Sequence, residues 1–120
     1  MPHSSNILCR ASLMAALCLT GSIGIAAAAN AADPVVIEFN DGVITPQTVN
    51  LAAGQETTLV LRNSGASAAE FESKQLKQEK VVAPGADLEL TLPALPAGSY
   101  EFVEEFHEDQ PSARGVIVVE

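Results

Sequence analysis

Near the C-terminus, five ionisable side chains fall within six residues: Glu104, Glu105, His107, Glu108 and Asp109. One imidazole with several carboxylates is a donor set for Fe, Mn, Cu(II) or Zn, and the lack of nearby sulfur removes the soft-metal options. Carboxylates this close repel one another, and a divalent cation relieves the repulsion. The competing reading is an acidic, solvated loop with an ordinary surface His. Parity favours the metal. Tyr100, Phe102 and Phe106 recur at period two, so they are expected to share the core face of a strand, and Glu104 has the same parity. A carboxylate there is costly unless paired, protonated or cation-bound, or unless the strand bends after Val103 and carries it to the rim. A second acidic pair, Glu70 and Glu72, brackets Phe71; with Phe71 facing in, both face out on one side. Glu79 is a third candidate, either a ligand or half of a solvated Glu79-Lys80 charge pair.

The chain has 120 residues and a formal charge of −9. Its start carries one cation, Arg10, then an uncharged Ala- and Leu-rich stretch from Ala11 to Ala29, then Ala29-Asn30-Ala31. That order is expected of an export signal over residues 1–31, cleaved near 31/32 or 32/33. Leu17 before Cys18 argues against a lipoprotein signal, and Gly21 and Gly24 argue against a membrane span. Cleavage would remove both cysteines, both methionines and His3. Residues 33–120 keep all 15 acids and five of the six bases, a formal charge of −10, with His107 as their one imidazole. Within that segment no disulfide, zinc-thiolate site or thiol nucleophile can form. The acidity argues against nucleic acid and anionic membranes as partners. Export without disulfides suits a bacterial periplasm.

About 88 residues make one small domain. Short apolar or alternating runs at 35–39, 43–45, 48–51, 57–62, 70–72, 80–82, 87–92, 99–106 and 113–119 are punctuated by Asn40-Asp41-Gly42, Ala52-Ala53-Gly54, Asn63-Ser64-Gly65, Pro84-Gly85 and Pro96-Ala97-Gly98. This spacing predicts an all-β Greek-key sandwich of about seven strands. Lys74 to Gln78 reads as a polar loop or one helical turn. Asn63 reads as a turn residue that satisfies backbone groups. Ser73, Ser99 and Ser112 have no base nearby, and no Gly-rich phosphate loop is present. With a single His, catalysis is disfavoured.

The run Ile44-Thr45-Pro46-Gln47-Thr48-Val49-Asn50-Leu51-Ala52-Ala53-Gly54 and the strand ending at Asn63 resemble the first half of a small bacterial cupredoxin. Val82-Ala83-Pro84-Gly85, Leu95-Pro96-Ala97-Gly98 before Tyr100-Glu101-Phe102, and Arg114-Gly115 before the last strand resemble its second half. The resemblance implies a cupredoxin-like domain over 33–120. Carried over, the family's copper Cys falls on Glu104 and its second His on or beside His107. The first His falls at Ala69 or Glu70, and the Met near Ala113. Type 1 copper needs a thiolate, so the resemblance implies a different metal site and no blue-copper electron transfer.

Glu70-Phe71-Glu72-Ser73, Glu79-Lys80 and Glu104-Glu105-Phe106-His107 are further similar to cupredoxin-like domains that accompany bacterial ferrous-iron permeases. This implies a non-enzymatic periplasmic protein that binds iron or Cu(II) in uptake. Its expected partners are an inner-membrane iron permease or a periplasmic iron-binding subunit. Glu104 and His107 are the first expected ligands, Glu70 and Glu72 the next, and Glu105 an outer ligand or acidic guide. The rival readings are a metal-free sandwich that docks to a permease or other periplasmic subunit and, more weakly, an Fe(II) oxidase.

Overall fold

The computed structural model describes residues 33–120, together with Gly24. The export signal expected over residues 1–31 and its cleavage site lie outside the described residues. Nine strands are present among these: β1 (Val35–Asn40), β2 (Val43–Thr45), β3 (Thr48–Leu51), β4 (Thr57–Asn63), β5 (Ala69–Ser73), β6 (Gln78–Val82), β7 (Asp87–Leu92), β8 (Gly98–Glu104) and β9 (Arg114–Val119). Their count exceeds the expected seven or so because β2, β3 and the β5–β6 hairpin are all short separate strands. Two single 3-10 turns, Glu105–His107 and Pro111–Ala113, sit between β8 and β9.

The strands form two sheets, ordered β2-β1-β4-β7 and β3-β9-β8-β5-β6. The chain crosses from the first sheet to the second between β2 and β3, at Pro46, whose missing N–H cannot extend a ladder. Alternation decides what each sheet buries. Ile37 and Phe39 of β1, Leu59 and Leu61 of β4, and Leu90 and Leu92 of β7 face Phe71, Phe102, Ile117 and Val119 of the other sheet, and all are buried. Phe71 and Phe102 stack with ring centroids 5.2 Å apart at the centre of this core.

Two residues make that packing possible. Gly115 lies opposite Phe102 in the β8–β9 register, and a Cβ there would overlap the Phe102 ring, so glycine provides the space the aromatic ring occupies. Asn63, 1% exposed, closes β4: its Nδ2 donates to Ser67 O (2.8 Å) and Val82 O (2.9 Å), and its Oδ1 accepts from Gly65 N (3.0 Å). It satisfies backbone groups at a turn, as its type and place suggest.

One expected core residue is outside the core. Phe106 is 53% exposed, because β8 ends at Glu104 and the 3-10 turn that follows abandons the two-residue period on which the expectation rested. Lys74 to Lys77 form the tight turn of the β5–β6 hairpin rather than a helix, with Lys77 at φ 54°.

Gly115→Ala is expected to destabilise the domain by about 1–3 kcal/mol through overpacking against Phe102. Asn63→Ala, which strands two buried carbonyls and an N–H, is expected to cost about as much or more. Thermal or urea denaturation of the two variants measures both.

Candidate metal centre

The end of β8 carries the site. Register pairs residues on one face: Phe71 with Glu104, and Glu72 with Val103. Glu104 therefore points inward with Phe71, while Glu72 points out. The strand does not carry Glu104 to the rim; the residue is 0% exposed. Its burial is tolerable because both carboxylate oxygens are engaged. Oε1 accepts from the backbone N–H groups of Glu70 (3.0 Å) and Phe106 (3.1 Å), and Oε2 bonds Nδ1 of His107. Glu104 is thereby the N-cap of the 3-10 turn and a tie between β8 and β5.

His107 is partly buried behind Glu104. A carboxylate on Nδ1 orients the ring and leaves Nε2 as the atom for any further partner. The β1–β2 turn packs on the same region. Gly42 has φ 88°, and a Cβ there would stand 3.0 Å from His107 Cβ and 2.9 Å from Gln110 Cδ, so only glycine fits. Beside it, Asp41 accepts from Ala66 N, Ser67 N and Ser67 Oγ (2.8 Å), which hold its carboxyl below the ordinary value.

A second grouping lies on the outer side of the same sheet. Glu70, two residues before Glu72, meets Glu79 of the neighbouring strand and Glu105 of the 3-10 turn; one carboxylate oxygen from each lies within 4.8 Å of the other two. Glu70 is 7% exposed, and among the described residues no cationic side chain forms an ion pair with its carboxylate. Burial pushes its carboxyl up, as do a proton shared with Glu79 and the charges of Glu105, Glu79 and Glu72. Burial likewise raises Glu105, reinforced by the charges of Glu72, Glu108 and Glu79. Glu72 and Glu79 stand directly opposite in the β5–β6 ladder, a like-charge pair of the kind that weakens strand pairing.

The expected ligands therefore separate. Glu104 and His107 meet each other on the inner side. Glu70 and Glu105 meet on the outer side, with Glu72 beside them. Glu79, which the sequence left between ligand and solvated pair, joins Glu70 and Glu105; hairpin register brings it there, and only the strand assignment of 78–82 could have signalled it. A groove of about 220 Å³ lined by Glu72, Gln75, Glu101, Glu108 and Arg114 adjoins this acidic face. It is smaller than the roughly 300–1,000 Å³ typical of organic-ligand sites. No helix among the described residues is long and apolar enough to cross a membrane.

The chain resembles known proteins along most of this fold. It is 33% identical over 85 residues to the uncharacterized protein RP394 of Rickettsia prowazekii (strain Madrid E), covering 71% of this chain and 66%, just under two thirds, of that protein. Reduced auracyanin from Roseiflexus castenholzii superposes with a TM-score of 0.56 at 16% identity, covering 76% of this chain and 99% of that one. The purple cupredoxin of Nitrosopumilus maritimus gives a TM-score of 0.55 at 17% identity, covering 72% and 99%. The metal-binding domain of the Cu(I)-exporting P-type ATPase CopA of Streptococcus pneumoniae D39 gives 0.62 at 12% identity, covering 78% and 91%. At these identities the solved structures show a shared fold alone. The family model for the cupredoxin-like domain matches residues 11–119, so this chain belongs to the cupredoxin-like domain family.

Proposed function

We propose that the protein is a periplasmic, non-enzymatic metal-binding domain that serves iron, or copper, uptake, and that it binds its metal through carboxylates at the β8 end of the sandwich. One observation carries the reading: Glu70 is 7% exposed, has no cationic partner among the described residues and faces two more carboxylates. A group in that position needs a proton or a cation, and at neutral pH a divalent cation neutralises three crowded acids more completely. The family and its copper-binding neighbours support metal handling in general. The likeness of the Glu70–Ser73 and Glu104–His107 stretches to permease-associated domains supports iron transport. The expected partners, an inner-membrane permease or a periplasmic iron-binding subunit, follow from that likeness.

A type 1 copper does not fit these residues. No cysteine lies in 33–120, and the residue at the resembled thiolate position, Glu104, already gives both oxygens to Glu70 N, Phe106 N and His107.

Two outcomes check the reading. Isothermal titration with Fe(II) under anaerobic conditions, and with Cu(II), is expected to show binding that Glu70→Gln weakens at least tenfold, about 1.4 kcal/mol. The pH dependence has a defined sign. The folded pKa values of Glu70 and Glu105 are raised above 4.5, so their contribution to stability is present below that value and lost as pH rises through the raised values. The metal-free protein is therefore expected to melt at lower temperature at neutral pH than near pH 4.5, and added cation is expected to reverse the loss. Asp41, with its lowered pKa, acts in the opposite sense and only as pH falls below 3.8. Equal melting temperatures with chelator and with metal would favour the metal-free docking module instead.

A further inference from the structure

We infer that Asp41-Gly42 is a covalent modification site, where aspartate converts to isoaspartate, and that the loop at 65–67 holds it shut in the folded domain. The inference draws on different residues from the metal-binding reading and stands apart from it.

An Asp-Gly peptide is open to this reaction because glycine puts no side chain in the way of its own backbone nitrogen. Gly42 N attacks Asp41 Cγ and a nitrogen–Cγ bond forms. The carboxyl hydroxyl leaves as water with the Gly42 amide proton. A second water then opens the five-membered imide. Cleavage of the nitrogen–Cγ bond restores aspartate. Cleavage of the bond from that nitrogen to the main-chain carbonyl carbon of Asp41 leaves an isoaspartyl linkage. Nothing is oxidised or reduced, and water is the one co-reactant.

The fold places this pair where water reaches it. Asn40 pairs with Val43, so Asp41 and Gly42 are the whole loop of the β1–β2 hairpin, with φ 44° and 88°, and Asp41 is exposed. What restrains the reaction is the carboxylate. Asp41 Oδ1 accepts from Ala66 N (3.0 Å), Ser67 N (3.0 Å) and Ser67 Oγ (2.8 Å), and Oδ2 accepts from Ala66 N (3.2 Å). Turning Cγ onto Gly42 N breaks these bonds. Gly65 packs on the same residue: a Cβ there would stand 2.7 Å from Asp41 N and 2.8 Å from Oδ1. The donors of Ser67 and Ala66 also hold the carboxyl below its ordinary value, and the ionised form is the poorer electrophile.

Modification would reach the end of the domain that carries His107. Isoaspartate routes the main chain through Cβ, which adds one carbon to the turn and leaves a free carboxylate on Cα. The turn has no slack for this. Gly42 O accepts from Ser112 Oγ (2.8 Å), and a Cβ on Gly42 would stand 3.0 Å from His107 Cβ.

The test incubates the purified protein at neutral pH, native and in urea, and follows isoaspartate at position 41 by peptide mass mapping with isoaspartyl methyltransferase labelling. The native protein is expected to isomerise at least tenfold more slowly than the same chain in urea. Ser67→Ala and Gly65→Ala are each expected to raise the native rate at least threefold. Gly115→Ala, which loosens the core away from this turn, should leave the rate within twofold of wild type. Should Gly65→Ala fail to fold, Ser67→Ala, which removes a single hydroxyl, carries the test. Equal rates in native and unfolded protein would overturn the inference, as would a native rate that Ser67→Ala leaves unchanged. Acceleration by Gly115→Ala as large as that by Ser67→Ala would assign the protection to folding in general and overturn the role of the loop.

Discussion

A carboxylate that is fully buried yet fully hydrogen-bonded organises the functional end of this domain. Glu104 closes β8 by capping the 3-10 turn through Phe106 N–H, holds β5 through Glu70 N–H and engages His107 through its other oxygen. Remove it and two backbone donors lose their acceptor inside the protein, at a cost of about 1–3 kcal/mol each. Its inward direction also sorts its neighbours. Because alternate residues face opposite sides, burying Glu104 beside Phe71 sends Glu70 and Glu72 to the outer face, where the 3-10 turn brings Glu105. One buried side chain thus separates an inner His–carboxylate pair from an outer acidic cluster.

The rest of the sandwich keeps that arrangement stiff. The Phe71–Phe102 stack sits next to Glu104 on the same face, and Gly115 gives the Phe102 ring its space. Asn63 secures the end of β4 to the start of the segment leading to β5, and Asp41 ties the β1–β2 turn to the same loop through Ser67. These polar residues are each bonded to backbone, so they fix geometry without exposing unsatisfied groups. The acidic outer face is the exception. There burial, reinforced by neighbouring acids, shifts the carboxyls of Glu70 and Glu105 upward, and Glu72 and Glu79 stand directly opposite each other.

The family relation and the local chemistry constrain each other. Solved structures of the same fold include a metal-binding domain of a Cu(I)-exporting ATPase, while in this chain Glu104 at the end of β8 has both oxygens occupied by protein partners. The fold transmits an architecture, and the side chains on it decide what can be bound. Here they offer oxygen on one side and a preoccupied imidazole on the other.

Much of this was legible from residue order alone. Strict alternation in Leu59-Val60-Leu61 and Leu88-Glu89-Leu90-Thr91-Leu92, with Gly- and Pro-bearing turns between runs, determined a β-sandwich, because a half-buried strand must repeat every two residues. The parity of Glu104 pointed to a carboxylate on the core face unless the strand bent after Val103, and the acids near 70 and 105 were recognisable as a charged end. Parity could not say where β8 stops. The 3-10 turn after Glu104 broke the period and left Phe106 in solvent, since its start depends on a cap formed with that carboxylate. Nor could local pattern reveal that Glu79 meets Glu70 and Glu105 while His107 turns away. Those contacts join residues up to 35 positions apart, and strand register and the direction of one buried carboxylate, both products of tertiary packing, decide them.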